Sequence, residues 1–390
     1  MEYERYLSAK VQSLQPSGIR RFFDILNEMK GAISLSVGEP DFQTPWHIRD
    51  AGIYSLEKGF TKYTPNAGLS DLRDEISAYL ERRFDLRYDP KSELLVTVGG
   101  SEAIDLAVRS LINPGDEVLI PEPSFVCYGP IAVMAGGTPV MIPLTAENEF
   151  RLSPAQLEAA ITPRSKLLVL PFPCNPTGGI MERADLELLA PIIEKHDLMV
   201  VSDEIYAELT YGGVHHTSIA NLPGMAARTV VVNGMSKCYS MTGWRMGYAA
   251  APAPIIKQMT KLHQYCIMSA PTTSQYAAIE ALRRGDDDIE AMKEEYDSRR
   301  RYLVSALREQ GLDCFDPKGA FYAFPSIRKT GLSSEQFCER FLLEHKIACV
   351  PGSAFGPSGE GFIRVCYAAS MQNMEVAMDR LGQFLRELGV

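Results

Sequence analysis

The sequence predicts an α/β protein with a mostly parallel sheet covered by helices on both faces. From about residue 93, apolar stretches rich in β-branched residues alternate with segments of helical period. Strands that are apolar on both faces are typical of parallel sheets, whose crossover helices cover them. The chain has 390 residues, 46% hydrophobic and 23% charged, which is enough for a sizeable core and for more than one domain.

The predicted strands and helices follow one another in a regular order. Six stretches are predicted as strands: ELLVTVGG, EVLIPEP, PVMIPL, KLLVLPFP, LMVVSDEIY and TVVVNGM. Three are predicted as helices: SEAIDLAVRSLI, which the turn NPGD follows, SPAQLEAAI and ADLELLAPIIEKHD. The second of these helices opens with a capping box, Ser153-Pro154-Ala155-Gln156.

The pattern changes after about residue 276. One long charged helix, QYAAIEALRRGDDDIEAMKEEYDSRRRYLVSALREQG, is predicted there, followed by the strand candidates GAFYAFPSI and GFIRVCYAA. We therefore predict a large domain at 46–275 and a smaller α+β domain formed by 1–45 and 276–390. The chain shows no internal repeat, low-complexity segment or long linker.

Composition excludes several classes of protein. The net charge of −10 and the pI of about 5.3 argue against nucleic acid or an anionic membrane as the main partner. The N-terminal MEYERYLSAK lacks an apolar signal core, and no apolar run approaches the roughly 18 residues of a membrane span. The eight cysteines form no C-x-x-C pair, so we expect reduced thiols in a cytoplasmic protein, without disulfides or a metal site.

Four polar motifs follow predicted strands. Three of them, taken singly, have ordinary structural explanations as a helix cap, a turn, and a structural carboxylate with a half-buried aromatic. The carboxyl ends of parallel strands share one edge of a sheet, where ligands bind. Lys237 and Arg245, two cations between apolar strands, require an anion. The motifs are Gly99-Gly100-Ser101-Glu102, Cys174-Asn175-Pro176-Thr177-Gly178, Asp203 with Tyr206, and Ser236-Lys237 with Arg245 eight residues beyond the lysine.

This set of side chains fits the chemistry of pyridoxal 5'-phosphate. A lysine forms a Schiff base with the aldehyde, and a carboxylate keeps the pyridine nitrogen protonated. A phenol and an amide hydrogen-bond the 3-oxygen of the ring. An arginine, a serine and a helix N-terminus hold the dianionic phosphate. We therefore expect Lys237 to carry the aldehyde and Arg245 to hold the phosphate.

The order N-P-T-G, D-x-x-Y, then S-K with an arginine eight residues beyond the lysine resembles the class I/II aminotransferases of fold type I. The resemblance runs from SLSVGEPDF to FIRVCYA. It implies a homodimer with shared active sites and a smaller domain beside the large one. It also implies these roles: Lys237 as Schiff-base lysine and proton shuttle; Asp203 at the pyridine nitrogen; Asn175 and Tyr206 at the 3-oxygen; Phe125, or less favourably Tyr128, stacked on the ring, with Ile205 on the opposite face; Ser236, Arg245 and the Gly100-Ser101-Glu102 backbone at the phosphate; Arg364, Gly38 and Asn175 at the substrate; and Tyr63 at the phosphate of the neighbouring subunit.

The sequence departs from the family pattern in two places. Many relatives have a serine three residues before the lysine, where this chain has Gly234. Some aspartate-specific members have a lysine at the position of Ser101, and its absence weakens an aspartate assignment. The N-G-x-S-K form and the stretch IRRFFDI resemble the broad or aromatic-type members.

The expected reaction is amino transfer from an α-amino acid to a 2-oxo acid, with 2-oxoglutarate as the expected acceptor and ping-pong kinetics. The donor is expected to be broad, aromatic or acidic. A carbon–sulfur β-lyase on the same scaffold would use the same lysine and carboxylate. A regulator with this fold would need roughly 70 more N-terminal residues with a basic helix-turn-helix. A nicotinamide enzyme would need G-x-G-x-x-G after the first strand, which is absent.

Overall fold

The computed structural model describes residues 3–16, 29 and 31–390. The stretch IRRFFDI, at 19–25, lies outside the described residues, so its resemblance to aromatic-type members stays a prediction. All eight cysteines carry free thiols.

The described strands form one large and two small sheets. They are β1 (Ile33–Ser34), β2 (Leu94–Thr97), β3 (Glu117–Glu122), β4 (Thr138–Pro143), β5 (Ser165–Leu170), β6 (Met199–Asp203), β7 (Thr229–Gly234), β8 (Gly247–Ala250), β9 (Tyr322–Ala323), β10 (Ile347–Ala348), β11 (Val350–Pro351) and β12 (Ile363–Cys366). All six strands predicted for the large domain are present, as are both candidates in the C-terminal region.

Helices follow most of these strands. They are α1 (Ala9–Gln12), α2 (Trp46–Glu57), α3 (Ser70–Phe84), α4 (Gly100–Leu111), α5 (Tyr128–Ala135), α6 (Pro154–Ala160), α7 (Arg183–Lys195), α8 (Met235–Cys238), α9 (Ala253–Cys266), α10 (Thr272–Arg284), α11 (Asp286–Glu309), α12 (Ser334–His345) and α13 (Met371–Glu387). Short 3₁₀ turns occupy Glu4–Tyr6, Ala146–Asn148, Ile219–Asn221, Ala226–Arg228, Thr242–Trp244, Arg328–Thr330, Gly352–Phe355 and Pro357–Gly359. The predicted capping box is present at α6, where Ser153 and Gln156 bond each other's backbone. None of the helices described is both long and apolar enough to cross a membrane.

The large sheet has seven strands in the order β2-β8-β7-β6-β5-β3-β4. Strands β7, β6, β5, β3 and β4 are parallel, whereas β8 is antiparallel to both of its neighbours. Strand β2 therefore points the same way as β7, despite the intervening reversed strand. The carboxyl ends of β2, β5, β6 and β7 consequently meet at one edge of the sheet, as the sequence predicts.

The sheet is apolar on both faces because successive side chains point to opposite sides. Leu167 and Val201 pack with α4 residues on one face. Leu168 and Val200 pack with α7 residues on the other. This double burial explains why the strands are continuous apolar runs rather than alternating ones.

A separate apolar cluster forms in the C-terminal region. Strands β11, β12 and β9 make an antiparallel sheet, and β1 pairs with β10 in parallel. The cluster joins Leu35, and also Tyr206, Leu209 and Tyr211 of the segment after β6, to buried side chains of residues 292–385. This arrangement is consistent with a second domain that includes the N-terminal segment, but the boundaries at 45/46 and 275/276 stay predictions.

The prediction of one long helix after residue 276 is wrong, because the helix breaks at Gly285 into α10 and α11. A Cβ at Gly285 would lie 2.5 Å from Cε1 of Tyr239 and 2.6 Å from the carbonyl oxygen of Ala281. The ring of Tyr239 thus takes the space of a side chain at the junction. The three aspartates at 286–288 open the second helix, where negative charge is favourable.

We expect Gly285→Ala to lower the free energy of unfolding by about 1–3 kcal/mol, because its methyl group would collide with Tyr239. Gly129→Ala in α5 is the matched control. A Cβ at Gly129 has no heavy atom within 4 Å, so that change should be neutral or stabilise the protein by up to about 1 kcal/mol. Urea unfolding of both variants measures the difference, and equal midpoints would contradict this account of the helix break.

Candidate active site

A cavity of about 510 Å³ opens at the shared edge of the large sheet, against the C-terminal region. Most of the residues predicted for the site line it. Its lining residues are Gly38, Glu39, Gly100, Ser101, Ile104, Phe125, Tyr128, Pro171, Pro173, Asn175, Asp203, Ile205, Tyr206, Ser236, Lys237, Thr242, Gly243, Arg245, Tyr322 and Arg364. Polar groups from four strand ends and from β9 and β12 thus face one space.

Lys237 lies in the short helix α8, directly after β7. Its Nζ donates to the carbonyl oxygen of Gly38 at 2.8 Å and lies over the rings of Tyr206 and Phe321, at 5.9 Å and 5.8 Å from their centroids. Burial lowers the pKa of Lys237 to about 8, against the opposing effect of Glu39. The side chain is therefore a partly neutral amine, and hence a nucleophile, near pH 8.

Asp203 is a buried carboxylate at the end of β6. The hydroxyl of Tyr128 donates to its Oδ2 at 2.7 Å, and the N–H of Ile205 donates to its Oδ1 at 3.2 Å. Burial raises the pKa of Asp203, while these two hydrogen bonds oppose the shift. Among the described residues no cation lies within 4 Å of it, so the site would stabilise a positively charged ligand atom there.

The structure places the Tyr128 side chain differently from the sequence-based expectation. It was the less favoured candidate for stacking on a ligand ring, but its hydroxyl is bonded to Asp203. Phe125, the favoured candidate, lines the cavity with its ring edge-on to Tyr128, 6.2 Å between centroids.

Two phenols meet in the cavity. The hydroxyls of Tyr206 and Tyr322 are 2.8 Å apart, and either can be the donor. Burial raises the pKa of both phenols, so both stay protonated at neutral pH. Tyr322 was not predicted as a site residue. Its only sequence signal was its place in the strand candidate GAFYAFPSI.

Arg364, in β12, is a buried guanidinium. Its Nη1 donates to Oδ1 of Asn175 at 2.7 Å and its Nη2 to the carbonyl oxygen of Ser36 at 2.6 Å. It is stacked between Tyr322 and Phe355, 4.5 Å and 4.9 Å from the ring centroids. In the part of the chain that the structure describes, no carboxylate lies within 4 Å of it and its Nε has no partner, so it can bind an anionic ligand group.

The N-terminus of α4 forms an anion site beside these groups. Gly99 precedes the helix with φ 77°, a conformation that favours glycine, and supplies no side-chain cap. The first N–H groups of a helix have no acceptor within it. A Cβ at Gly99 would lie 2.5 Å from Nη2 of Arg245, so the guanidinium lies directly against this turn. Free N–H groups, a helix dipole and an arginine suit a phosphate.

The structure gives a spatial reason for the glycine at position 234. A Cβ there would lie 2.8 Å from both the carbonyl oxygen of Met246 and Cα of Gly247. A serine at 234 would collide with the start of β8. Ser236 remains the hydroxyl beside Lys237 that lines the cavity.

Two predicted site residues have side chains outside the cavity. The carboxylate of Glu102 turns back to the N–H of Val98 and to His263, which leaves only its backbone for the predicted phosphate contact. Tyr63 is 82% exposed. Besides Tyr322, sequence reasoning did not single out these lining residues, most of which lie inside stretches that it had quoted: Glu39, Ile104, Pro171, Pro173, Thr242 and Gly243.

Comparison with known families agrees with this geometry. Residues 30–381 match the family model described as aminotransferase class I and II. The chain belongs to that family. It is therefore an enzyme that moves an amino group from an amino acid to an oxo acid, in a family whose members use pyridoxal phosphate. The predictions of reaction class and of the fold type I architecture are confirmed.

Individual relatives match this aminotransferase over nearly its whole length. A Bacillus subtilis (strain 168) protein, YugH, provisionally named an aminotransferase, is 53% identical over 98% of this chain and 99% of its own. The aspartate aminotransferase of Pyrococcus abyssi is 46% identical over 98% of each chain. The structure of an aromatic aminotransferase from Pyrococcus horikoshii OT3 has a TM-score of 0.90 at 44% identity, covering 94% of this chain and 99% of that one.

The lowered pKa of Lys237 predicts its reactivity. Below pH 8 the amine is protonated and unreactive, and above pH 8 it is free. On protein freed of bound small molecules, the rate of acetic anhydride labelling at Lys237 should rise with a midpoint near pH 8, measured by mass spectrometry. Lys237→Arg is the control and should lose this label alone. A midpoint near the ordinary lysine value of 10.5 would contradict the assigned environment.

Proposed function

We propose that this aminotransferase carries pyridoxal 5'-phosphate in the 510 Å³ cavity and takes amino groups from aromatic or a broad range of amino acids, with 2-oxoglutarate as acceptor. The observation that carries the proposal is that Lys237, Asp203 and Arg364 face one cavity, each without a charged partner within 4 Å among the described residues. Three such groups require a ligand with a carbonyl, a basic nitrogen and an anionic end.

The cavity fits this cofactor. When bound, pyridoxal phosphate supplies an aldehyde and a ring that accepts electrons from the substrate. Lys237 provides the amine that holds the aldehyde. Asp203, fixed by the hydroxyl of Tyr128, provides the negative charge that keeps a pyridine nitrogen protonated. Ser236, Arg245 and the N-terminus of α4 provide the phosphate site.

The remaining side chains act on the substrate. Arg364 binds the α-carboxylate, and its stacking between two rings restricts the guanidinium to one orientation. Asn175 accepts from Arg364 through Oδ1, which leaves its amide nitrogen free to donate into the cavity. As a free amine, Lys237 would take the Cα proton of the amino acid on Nζ, which requires the neutral form that burial favours. Ile205 and Phe125 exclude water from the two sides of the site.

Charge in the cavity supports neutral donors. Its described lining has three cations, Lys237, Arg245 and Arg364. Arg245 is assigned to the phosphate and Arg364 to the α-carboxylate, and Lys237 is the reacting amine. Within the described part of one chain, no further lining cation is left for a side-chain carboxylate. Acidic donors are the second candidate, because a relative 46% identical is named an aspartate aminotransferase.

A panel of amino acids tested with 2-oxoglutarate checks this proposal. We expect glutamate to form with phenylalanine or tyrosine as donor at rates at least equal to those with aspartate, and Lys237→Ala to abolish the reaction. Faster reaction with aspartate would favour the second candidate. Pyruvate released from cystathionine without any oxo acid, together with no glutamate from any donor, would favour the β-lyase.

The proposal includes a homodimer in which each site uses both chains. Large apolar side chains are exposed on α2, on the turn that carries Tyr63 and at the end of α9: Ile53, Tyr54, Leu56, Tyr63, Tyr265, Ile267 and Met268. Asn66 donates to the carbonyl of Met268, and Thr272 to that of Lys62, which ties the turn carrying Tyr63 to the segment after α9 and to the start of α10. Large exposed apolar surfaces are typical of subunit contacts.

The eight free cysteines suit a reducing compartment, so we also propose a cytoplasmic location.

Hybrid dimers test the shared site. Tyr63→Phe should weaken cofactor binding by about 1 kcal/mol, the contribution of one hydrogen bond. Lys237→Ala chains mixed with Tyr63→Ala chains should regain part of the activity, because one site per hybrid has all its groups intact. Lys237→Ala mixed with Arg245→Ala is the control and should regain none. A fully active monomer by sedimentation, or no recovery in a demonstrated hybrid, would refute the shared site.

A further inference from the structure

A buried histidine lies behind the N-terminus of α4. His263, in α9, is 0% exposed. Its Nδ1 lies 2.7 Å from Oε1 of Glu102. A carboxylate only accepts hydrogen bonds, so Nδ1 carries the proton that is shared with it. Its Nε2 is buried and has no partner among the described residues, so the contact with Glu102 is the one polar interaction that the structure describes for this ring.

The contact matters because of where Glu102 is. It is the third residue of α4, so its carboxylate could turn toward the free N–H groups of the first helical turn. There it would compete with a bound phosphate and repel it. Instead one oxygen accepts from the N–H of Val98, outside the helix, while His263 holds the other. The negative charge is thereby held on the loop side and compensated by an N–H donor.

We propose that His263 is a positioning residue for the phosphate site: it fixes the carboxylate of Glu102 against the Val98–Gly99 loop and keeps the helix N-terminus open to a phosphate dianion. This inference rests on the proposed cofactor. The inference goes beyond the cofactor proposal, because it assigns a function to His263, a residue of another helix whose side chain does not line the cavity.

A purely structural histidine would behave differently. If His263 only filled space in the core, its replacement would lower the stability of the protein and weaken the binding of every ligand of the cavity to a similar extent. A positioning residue affects only ligands that carry a phosphate. Pyridoxal 5'-phosphate and pyridoxal, which lacks the phosphate, present the same aldehyde and ring, so the ratio of their dissociation constants isolates this effect.

Two similar substitutions distinguish the contribution of Nδ1 from that of Nε2. His263→Asn places an amide N–H near the position of Nδ1 and keeps the donor to Glu102. His263→Gln places it near Nε2, where the described structure has no acceptor. His345→Asn is the remote control, since His345 also pairs with a glutamate, Glu387, at 3.0 Å but is far from the cavity in the fold.

The experiment titrates each cofactor form into apoenzyme and follows absorbance. For His263→Gln we expect the Kd of pyridoxal 5'-phosphate to rise about tenfold, the effect of losing one hydrogen bond to a charged group, and that of pyridoxal to change less than about twofold. His263→Asn should stay within about threefold of wild type for both, and His345→Asn should match wild type. His263→Leu supplies the same contrast if the glutamine variant does not fold.

Several results would overturn the inference: an unchanged Kd for pyridoxal 5'-phosphate in His263→Gln, an equal loss for both ligands, or an asparagine variant no better than the glutamine one. Failure of the proposed function looks different. In that case the wild-type apoenzyme itself would not bind pyridoxal 5'-phosphate, before any variant is compared.

Discussion

The common direction of β2, β5, β6 and β7 is the constraint on which the site depends. Their carboxyl ends deliver the α4 turn, Asn175, Asp203 and Lys237 to one edge, although these residues lie far apart in sequence. Strand β8 runs in the opposite direction between β2 and β7. It therefore spaces the anion site from the lysine without turning either away from the cavity.

The same site is electrostatically incomplete in a single chain without ligands. A buried amine, carboxylate and guanidinium each lie in the cavity without an opposite charge in contact, within the part of the chain that is described. Buried unpaired charges are destabilising, so the apolar packing on both faces of the large sheet and in the C-terminal cluster must offset their cost. Ligands that bring the missing charges would then stabilise the protein as well as react in it.

Sequence reasoning recovered the strands and the motifs that follow them because both are local signals. The long apolar runs indicate strands that are buried on both faces. Polar residues directly after such runs, for example Asp203 and Lys237, are therefore easy to recognise in the sequence. The break at Gly285 has a local signal that was missed, a glycine followed by three aspartates at a helix start. The packing of the Tyr239 ring against Gly285, from 46 residues earlier, has no such local signal. Tyr322, the bond from Tyr128 to Asp203, and the pair formed by His263 and Glu102 likewise depend on contacts between distant segments. A tyrosine or histidine in an apolar stretch has no distinguishing pattern of its own.

Arg364 and Lys237 belong to different packing units, one supported by the C-terminal apolar cluster and the other by the large sheet. The cavity between them exists only while the two units are docked. The C-terminal cluster also includes Tyr206, Leu209 and Tyr211, from the segment that follows β6, so the two units share part of one core. A chain that lost this packing would keep its reactive lysine after β7 but would have no guanidinium opposite it to hold a carboxylate.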